Sequence, residues 1–237
     1  IQTKYIYLPH EETLVKKRYI LKDGNNLSKL FETYSTFNDP LSEYKTDRVC
    51  DYLNNHGKEF DVILVCDYGN GFTNRYIIEA IADNANYLAV NTQLNSGNRG
   101  YNVITHYQKA HYVSLNENEL RLSTHNQYGD LRSLALEVIR FIGCEYLSVT
   151  RGVNGVMIAN SDGQFIQIPA LTTSSIDRVG AGDSYLALSA LCFAKNFSSE
   201  LCGFIGAAAA ALDIQIIGNK SAVDKINLCK FISALMK

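Results

Sequence analysis

The sequence has no long apolar run. Its longest stretch of small apolar residues, Ile205 to Leu212, falls far short of the roughly 20 residues that span a bilayer, and it reads as a buried helix. No membrane partner is expected. Charge of one sign is also missing: 22 Lys and Arg stand against 24 Asp and Glu, a formal net charge of −2. That balance gives no electrostatic case for a nucleic-acid partner. None of the six cysteines (Cys50, Cys66, Cys144, Cys192, Cys202 and Cys229) sits in a Cys-x-x-Cys pair, and most lie within apolar segments. They read as buried free thiols of a reducing, cytoplasmic compartment rather than as a zinc site. The five histidines are scattered, with no His-x-x-x-His. No Gly-x-Gly-x-x-Gly opens a helix after a strand, which argues against a Rossmann dehydrogenase. An initiator Met is absent as well, for the chain begins Ile1-Gln-Thr-Lys4. That start fits a processed chain or a piece of a longer one, and a leader sequence stays open.

What remains is an ordinary globular composition. Of 237 residues, 46% are hydrophobic and 19% charged, enough for one large α/β domain with or without a small appendage. The chain is organised around Ser175-Ile-Asp-Arg-Val-Gly-Ala-Gly-Asp183, a polar, glycine-containing turn that runs into a Leu- and Ala-rich helix. Gly180 and Gly182 let the backbone take unusual dihedrals and approach a ligand closely. The first helical turn leaves N–H groups unpaired, which makes a seat for phosphate. A carboxylate at that spot repels phosphate, but it is placed to take a proton from a hydroxyl that attacks it. The plainer reading is a glycine turn with Asp183 as the helix N-cap.

The rest of the chain alternates strand and helix signals. Residues 1 to 35 read as extended, with Asp23-Gly-Asn-Asn26 as a turn and Lys16 and Arg18 on a basic strand. Thr46 to His56 reads as an amphipathic helix. Asp61 to Cys66 is a continuous apolar run, the pattern of a parallel strand buried on both faces, and it delivers Asp67-Tyr-Gly-Asn-Gly71 to a strand end. Tyr76 to Asp83 reads as a helix and Tyr87 to Asn91 as the next strand, followed by a turn-rich loop whose one charge is Arg99. The strand His111 to Leu115 leads to Asn116-Glu-Asn-Glu119. These are either acids favoured in a first helical turn or groups that hold the hydration shell of Mg²⁺. Leu131 to Ile142 is a helix ended by Gly143, and Tyr146 to Thr150 is a strand followed by Arg151-Gly-Val-Asn-Gly155. Val156 to Ala159 and Phe165 to Ile168 form a hairpin, and two helices follow at Ser199 to Leu212 and Ala222 to Leu235.

Asp177-Arg-Val-Gly-Ala-Gly-Asp183 resembles the C-terminal signature of the phosphofructokinase-B, or ribokinase-like, family of carbohydrate kinases. Asp-Tyr-Gly-x-Gly at Asp67, Asn-x-x-Glu at Asn116 and Thr-x-Gly-x-x-Gly at Thr150 resemble further family motifs, in the family's order. The resemblance implies an α/β fold of three layers with a mostly parallel central sheet. It implies a β-rich lid or edge segment at 1–35 and the nucleotide-binding and catalytic part at 36–237. It makes Asp183 the catalytic base and Gly180, Ala181 and Gly182 the anion hole. Nucleotide contacts fall on Asn116, Glu119, Thr150, Gly152, Gly155, Gly218 and Asn219, with Asn116 and Glu119 meeting Mg²⁺ through water. Substrate contacts fall on Lys16, Arg18, Asp67 and Arg99. ATP and Mg²⁺ are the implied cofactors, and a small sugar or sugar phosphate is the implied partner. The nearest subgroup looks like the heptose 7-phosphate kinases, which brings with it a homodimer and a fused nucleotidyltransferase domain as expectations.

The chain departs from the family pattern at four places. Arg178 replaces a Thr, Asn70 a Lys, and Asn91 and Gln93 an Asp and a Lys. The family's initial portion, with its sugar-binding Asp and Gly-Gly motif, has no counterpart in residues 1 to 60. Two functions follow as alternatives: an ATP-dependent sugar or sugar-phosphate kinase, or a degenerate kinase-like module that binds nucleotide for regulation. The four replacements favour the module. The retained Asp183 favours the enzyme, since a base has no value to a pure binder.

Overall fold

A computed structural model describes residues 14–23, 26–35, 41–95, 97–98, 100–172, 176–177 and 179–237; the side chains of 22, 23, 26–29, 35 and 219 are outside that description. Residues 1–13 of the segment read as extended, Gly24 and Asn25 of the first turn, Arg99 and Arg178 all lie outside the described residues. The first described elements are two antiparallel strands, β1 (Val15–Asp23) and β2 (Asn26–Ser35). Their register sets Lys16 opposite Tyr34 and Arg18 opposite Glu32. Side chains alternate along a strand, so these four share one face, while Tyr19 stacks on Phe31 on the other.

The main sheet has six strands in chain order: β3 (Ile63–Asp67), β4 (Leu88–Thr92), β5 (Tyr112–Asn116), β6 (Tyr146–Thr150), β7 (Val156–Asn160) and β8 (Phe165–Ile168). β3 to β6 run parallel, and β7 and β8 return antiparallel. Alternate strand residues enter two separate cores. Leu88, Val90, Val113, Leu115, Leu147 and Val149 pack under α1 (Glu43–His56), α2 (Arg75–Asn84), α3 (Glu117–Ser123) and α4 (Leu131–Ile142). Ala89, Tyr112, Val156, Ile158 and Ile168 pack under α5 (Ala181–Ala194) and α6 (Ser199–Asp213). This is the three-layer arrangement that parallel strands require, with helices on both faces. A last helix, α7 (Lys225–Leu235), follows. No helix among the described residues is long and apolar enough to cross a membrane.

Three elements differ locally from the sequence reading. β3 is half-buried rather than buried, because among the described residues it is the sheet's edge and has a neighbour on one side only. α7 starts at Lys225 rather than Ala222, because the Asp224 side chain caps it by accepting from the Asn227 N–H. α1 starts earlier, at Glu43 after Ser42. All six cysteines are free thiols, and Cys144, Cys192 and Cys202 are buried.

The turn between β6 and β7 shows two glycines with different reasons. The Arg151 N–H donates to Gly155 O at 2.8 Å, closing the turn. Gly155 has φ of 74°, and a Cβ there would stand 2.0 Å from the Ile168 carbonyl oxygen. Gly152 has φ of 55°, but a Cβ there would meet nothing within 4 Å. Gly155→Ala should cost roughly 3 kcal/mol or more, since strain and clash add, while Gly152→Ala should cost about 1 kcal/mol of strain alone. Urea denaturation of both variants tests this; equal losses would refute the steric account.

Candidate active site

A cavity of about 1190 Å³ opens beyond the carboxyl ends of β3 to β6, where ligands sit in parallel α/β sheets. The sheet contributes Asn91, Gln93, Asn116 and Thr150, the β1–β2 hairpin contributes Lys16, Arg18, Glu32 and Tyr34, and α5 contributes its first turn. A fourth wall comes from Ala207, Ala210, Ala211 and Ile214 of α6 and its C-terminal cap. That wall is apolar, three alanines and one isoleucine, a surface suited to a planar ring.

The α5 terminus is built by Gly180, which takes φ of 96° as the N-cap. The first helical bond is the Ser184 N–H to Gly180 O, at 2.9 Å. The preceding N–H groups therefore lack helical acceptors, and Gly180, Ala181 and Gly182 line the cavity. Asp183 stands inside this turn rather than at the N-cap, so its carboxylate is not consumed in capping. Burial raises the pKa of its carboxyl above the ordinary carboxylate value, and a hydrogen bond from the Tyr68 hydroxyl to Oδ2 at 3.1 Å draws it partly back.

Asn116 and Glu119 form a reciprocal cap on α3. The Glu119 N–H donates to Asn116 Oδ1 at 2.9 Å, and the Asn116 N–H donates to Glu119 Oε2 at 2.8 Å. Glu119 Oε1 accepts from the Leu94 N–H at 3.2 Å. The pair is a capping box in the first helical turn, and both members also line the cavity. Burial pushes the Glu119 carboxyl up, and the backbone donors oppose it. The donor set suits Mg²⁺ held through water, because that ion keeps several waters and takes one or two carboxylates besides phosphate oxygens. Among the described residues no cluster of three or more His, Cys, Asp or Glu could enclose a metal on its own.

Thr150, Gly152 and Gly155 line the cavity. Gly218 is not part of that lining among the described residues, its N–H donating instead to Asp177 Oδ2 at 2.9 Å, and the side chain of Asn219 lies outside the description. The other Asp177 oxygen accepts from the Val179 N–H, and the N–H groups of Ile176 and Asp177 both donate to Ile214 O. Asp177 thus ties the glycine loop to the loop after α6. Asp67 is also outside the cavity lining. It is 6% exposed, and its oxygens accept from the Gly69 N–H and the Tyr107 hydroxyl, each at 2.9 Å. The reason is strand parity. Ile63 and Val65 pack with the α1–α4 core and Asp67 follows them, whereas Leu64 and Cys66 pack with the α5–α6 core and Tyr68 follows those. Lys16 and Arg18 do line the cavity, and both are paired with Glu32, at 3.2 and 3.3 Å. Asn70, Asn91 and Gln93, the three amides at substituted positions, line it too.

Two residues of interest were given no role in the sequence reading. Tyr68 is one. Asp213, at the end of α6, is the other: it is 7% exposed, and its Oδ2 has no partner among the described residues. Burial and the nearby Asp183 and Asp177 push its carboxyl up, against a hydrogen bond from Ser184. An acid closing the apolar run Ala207 to Leu212 was the available signal.

Comparison with known proteins bears on the fold and the family. The chain is 27% identical over 161 residues to the bifunctional protein HldE of Nitrobacter winogradskyi, covering 67% of this chain and 32% of that protein. It is 40% identical over 73 residues to a nucleoside kinase of Methanocaldococcus jannaschii, covering 30% of this chain and 24% of that protein. It therefore spans about a third or less of the length of these relatives. In fold it is similar to phosphofructokinase-2 of Escherichia coli in complex with potassium, with a TM-score of 0.71, 17% identity, and coverage of 90% of this chain and 67% of that one. Ribokinase of Thermotoga maritima gives a TM-score of 0.70 at 17% identity, covering 92% of this chain and 69% of that one. The pfkB family carbohydrate kinase model matches residues 31–226, most of the chain. The chain belongs to the pfkB family of carbohydrate kinases.

Proposed function

We propose that this chain carries the nucleotide site and catalytic base of an enzyme that moves the γ-phosphoryl group of Mg·ATP to a hydroxyl of a sugar or sugar phosphate. The observation that carries this reading is Asp183 beside the first-turn N–H groups of α5, which have no helical acceptor, at the wall of a large cavity. Asp183 accepts the proton of the attacking hydroxyl. The N–H groups of Ala181 and Gly182 hydrogen-bond the phosphoryl oxygens as charge builds on them. The small-residue wall of α6 receives the adenine ring. Thr150 and Gly152 border the nucleotide, and Asn116 and Glu119 orient the waters of the metal. Mg²⁺, when bound, neutralises charge on the phosphates. A heptose 7-phosphate acceptor is supported by the Asp-Tyr-Gly-x-Gly resemblance and by the HldE relatives. The word bifunctional in their name supports a second catalytic unit beyond this chain.

A second reading has its own observation. The cavity carries amides at Asn70, Asn91 and Gln93 where the family pattern has charged groups, which suits a nucleotide-binding module without turnover. ADP release by the complete gene product, over a panel of sugars and sugar phosphates that includes heptose 7-phosphate, separates the two. Turnover supports the kinase; ATP binding with no turnover on any acceptor supports the module.

In the kinase, Asp183→Asn should lower phosphoryl transfer by about 100-fold or more while ATP affinity, measured by calorimetry, holds. Unchanged turnover would remove Asp183 as the base. Glu119→Gln keeps an oxygen for one backbone donor and loses the charge. It should raise the Mg²⁺ concentration for half-maximal rate by about tenfold, and an unmoved magnesium titration would take Glu119 out of the metal site.

A further inference from the structure

Asp183 is not an open carboxylate. A general base must sit within about 2.6–3.2 Å of the hydroxyl it deprotonates. The Tyr68 hydroxyl already donates to Asp183 Oδ2 at 3.1 Å, within that range, and both residues line the cavity. Tyr68 reaches Asp183 from the loop after β3, 115 positions away in the chain.

The backbone beneath Tyr68 is held by a lattice of amides. Asn95 and Asn98 donate through Nδ2 to Tyr68 O at 2.7 and 3.2 Å, and Asn98 Nδ2 also donates to Gln93 O at 2.6 Å. One residue back, Asp67 O accepts from the Gln93 N–H at 2.7 Å and from Asn102 Nδ2 at 2.8 Å. Tyr68 as a whole is 37% exposed. A fixed backbone with an exposed ring lets the ring turn aside without disturbing the core.

We propose that Tyr68 is a positioning residue whose hydroxyl occupies the acceptor's place on Asp183 until the acceptor displaces it. This rests on Asp183 being the base. In the productive step the acceptor hydroxyl replaces Tyr68 and gives its proton to Asp183. Its oxygen bonds the γ-phosphorus, and the bond from that phosphorus to the bridging oxygen breaks, ADP leaving with the electron pair. While Tyr68 is in place, water is kept from the same oxygen. Without the hydroxyl, water takes the acceptor's part and the products are ADP and inorganic phosphate.

The other groups that act on Asp183 or share its cavity wall are fixed in both forms of the test. They are Cys66 on β3, Glu119 on α3, Asp213 at the end of α6, and the Lys16–Arg18–Glu32 cluster on the hairpin. The Tyr68 hydrogen bond stabilises the charged carboxylate, so removing it raises the carboxyl's pKa. A base must be deprotonated to act, so the acidic limb of the rate profile moves to higher pH.

The experiment is Tyr68→Phe in the complete gene product, with Tyr68→Leu beside it and thermal unfolding of both compared with wild type. The profile of kcat/KM reports the free enzyme and that of kcat the substrate complex. The placeholder role requires the acidic limb of kcat/KM to move up while that of kcat stays. It also requires acceptor-free ATP hydrolysis to rise about three- to tenfold, the worth of one hydrogen bond. Movement of both limbs, or of neither, overturns the proposal. Unchanged acceptor-free hydrolysis overturns it even before the acceptor is known. An active Asp183→Asn would instead bring down the base assignment; an inactive one with unmoved Tyr68→Phe profiles brings down the placeholder alone.

Discussion

Four buried hydroxyls hold α5 against the sheet. Tyr112 on β5 is hydrogen-bonded to Ser148 on β6 and to Ser189 on α5, each at 2.9 Å. Tyr185 on α5 reaches the same Ser148 at 3.0 Å, and the Ser189 hydroxyl donates to Tyr185 O at 2.7 Å. All four side chains are at most 1% exposed. Apolar contacts around them tolerate a helix that slides or rotates by a fraction of an ångström; a buried hydroxyl left without its partner costs about 1–3 kcal/mol. The network therefore sets the register of α5 on the sheet. Tyr185 is two residues after Asp183, so the position of Asp183 and of the N–H groups of the first turn of α5 follows from this joint. The Asp177 contacts fix the other side of the same turn, where the glycine loop meets the end of α6.

Much of this was legible in the sequence because it is local. Apolar periodicity marked the helix from Leu131 to Ile142 and the strand from Tyr146 to Thr150, and Gly143 marked where that helix ends. The Gly180-Ala-Gly182 turn stood out as glycines that run straight into a Leu- and Ala-rich helix, although a plain glycine turn gives the same pattern. The pair Asn116 and Glu119 was visible as a spacing, and the capping geometry that produces the spacing is itself local.

What escaped depends on parity and on distance. The apolar run from Val62 to Cys66 does not say which core the even positions enter. Only the packed sheet settles that Asp67 turns to the Tyr107 side and Tyr68 to Asp183. Gly218 was assigned by its place after a helix, but an acid 41 positions earlier claims its N–H. Asp213 escaped because a carboxylate at the end of an apolar helix looks solvated until the neighbouring loops close over it.

The hairpin's charges carry one further consequence. Glu32 takes both Lys16 and Arg18, and the Tyr34 hydroxyl donates to it at 2.6 Å. An anion arriving at this wall meets cations that already have a counter-ion in place. It gains only the difference between two similar pairings, less the cost of parting the first. A wall built this way acts as an exchanger rather than an attractor. It ranks anions by how well their shape substitutes for one carboxylate, and bulk ions, which weaken both pairings alike, change that ranking little.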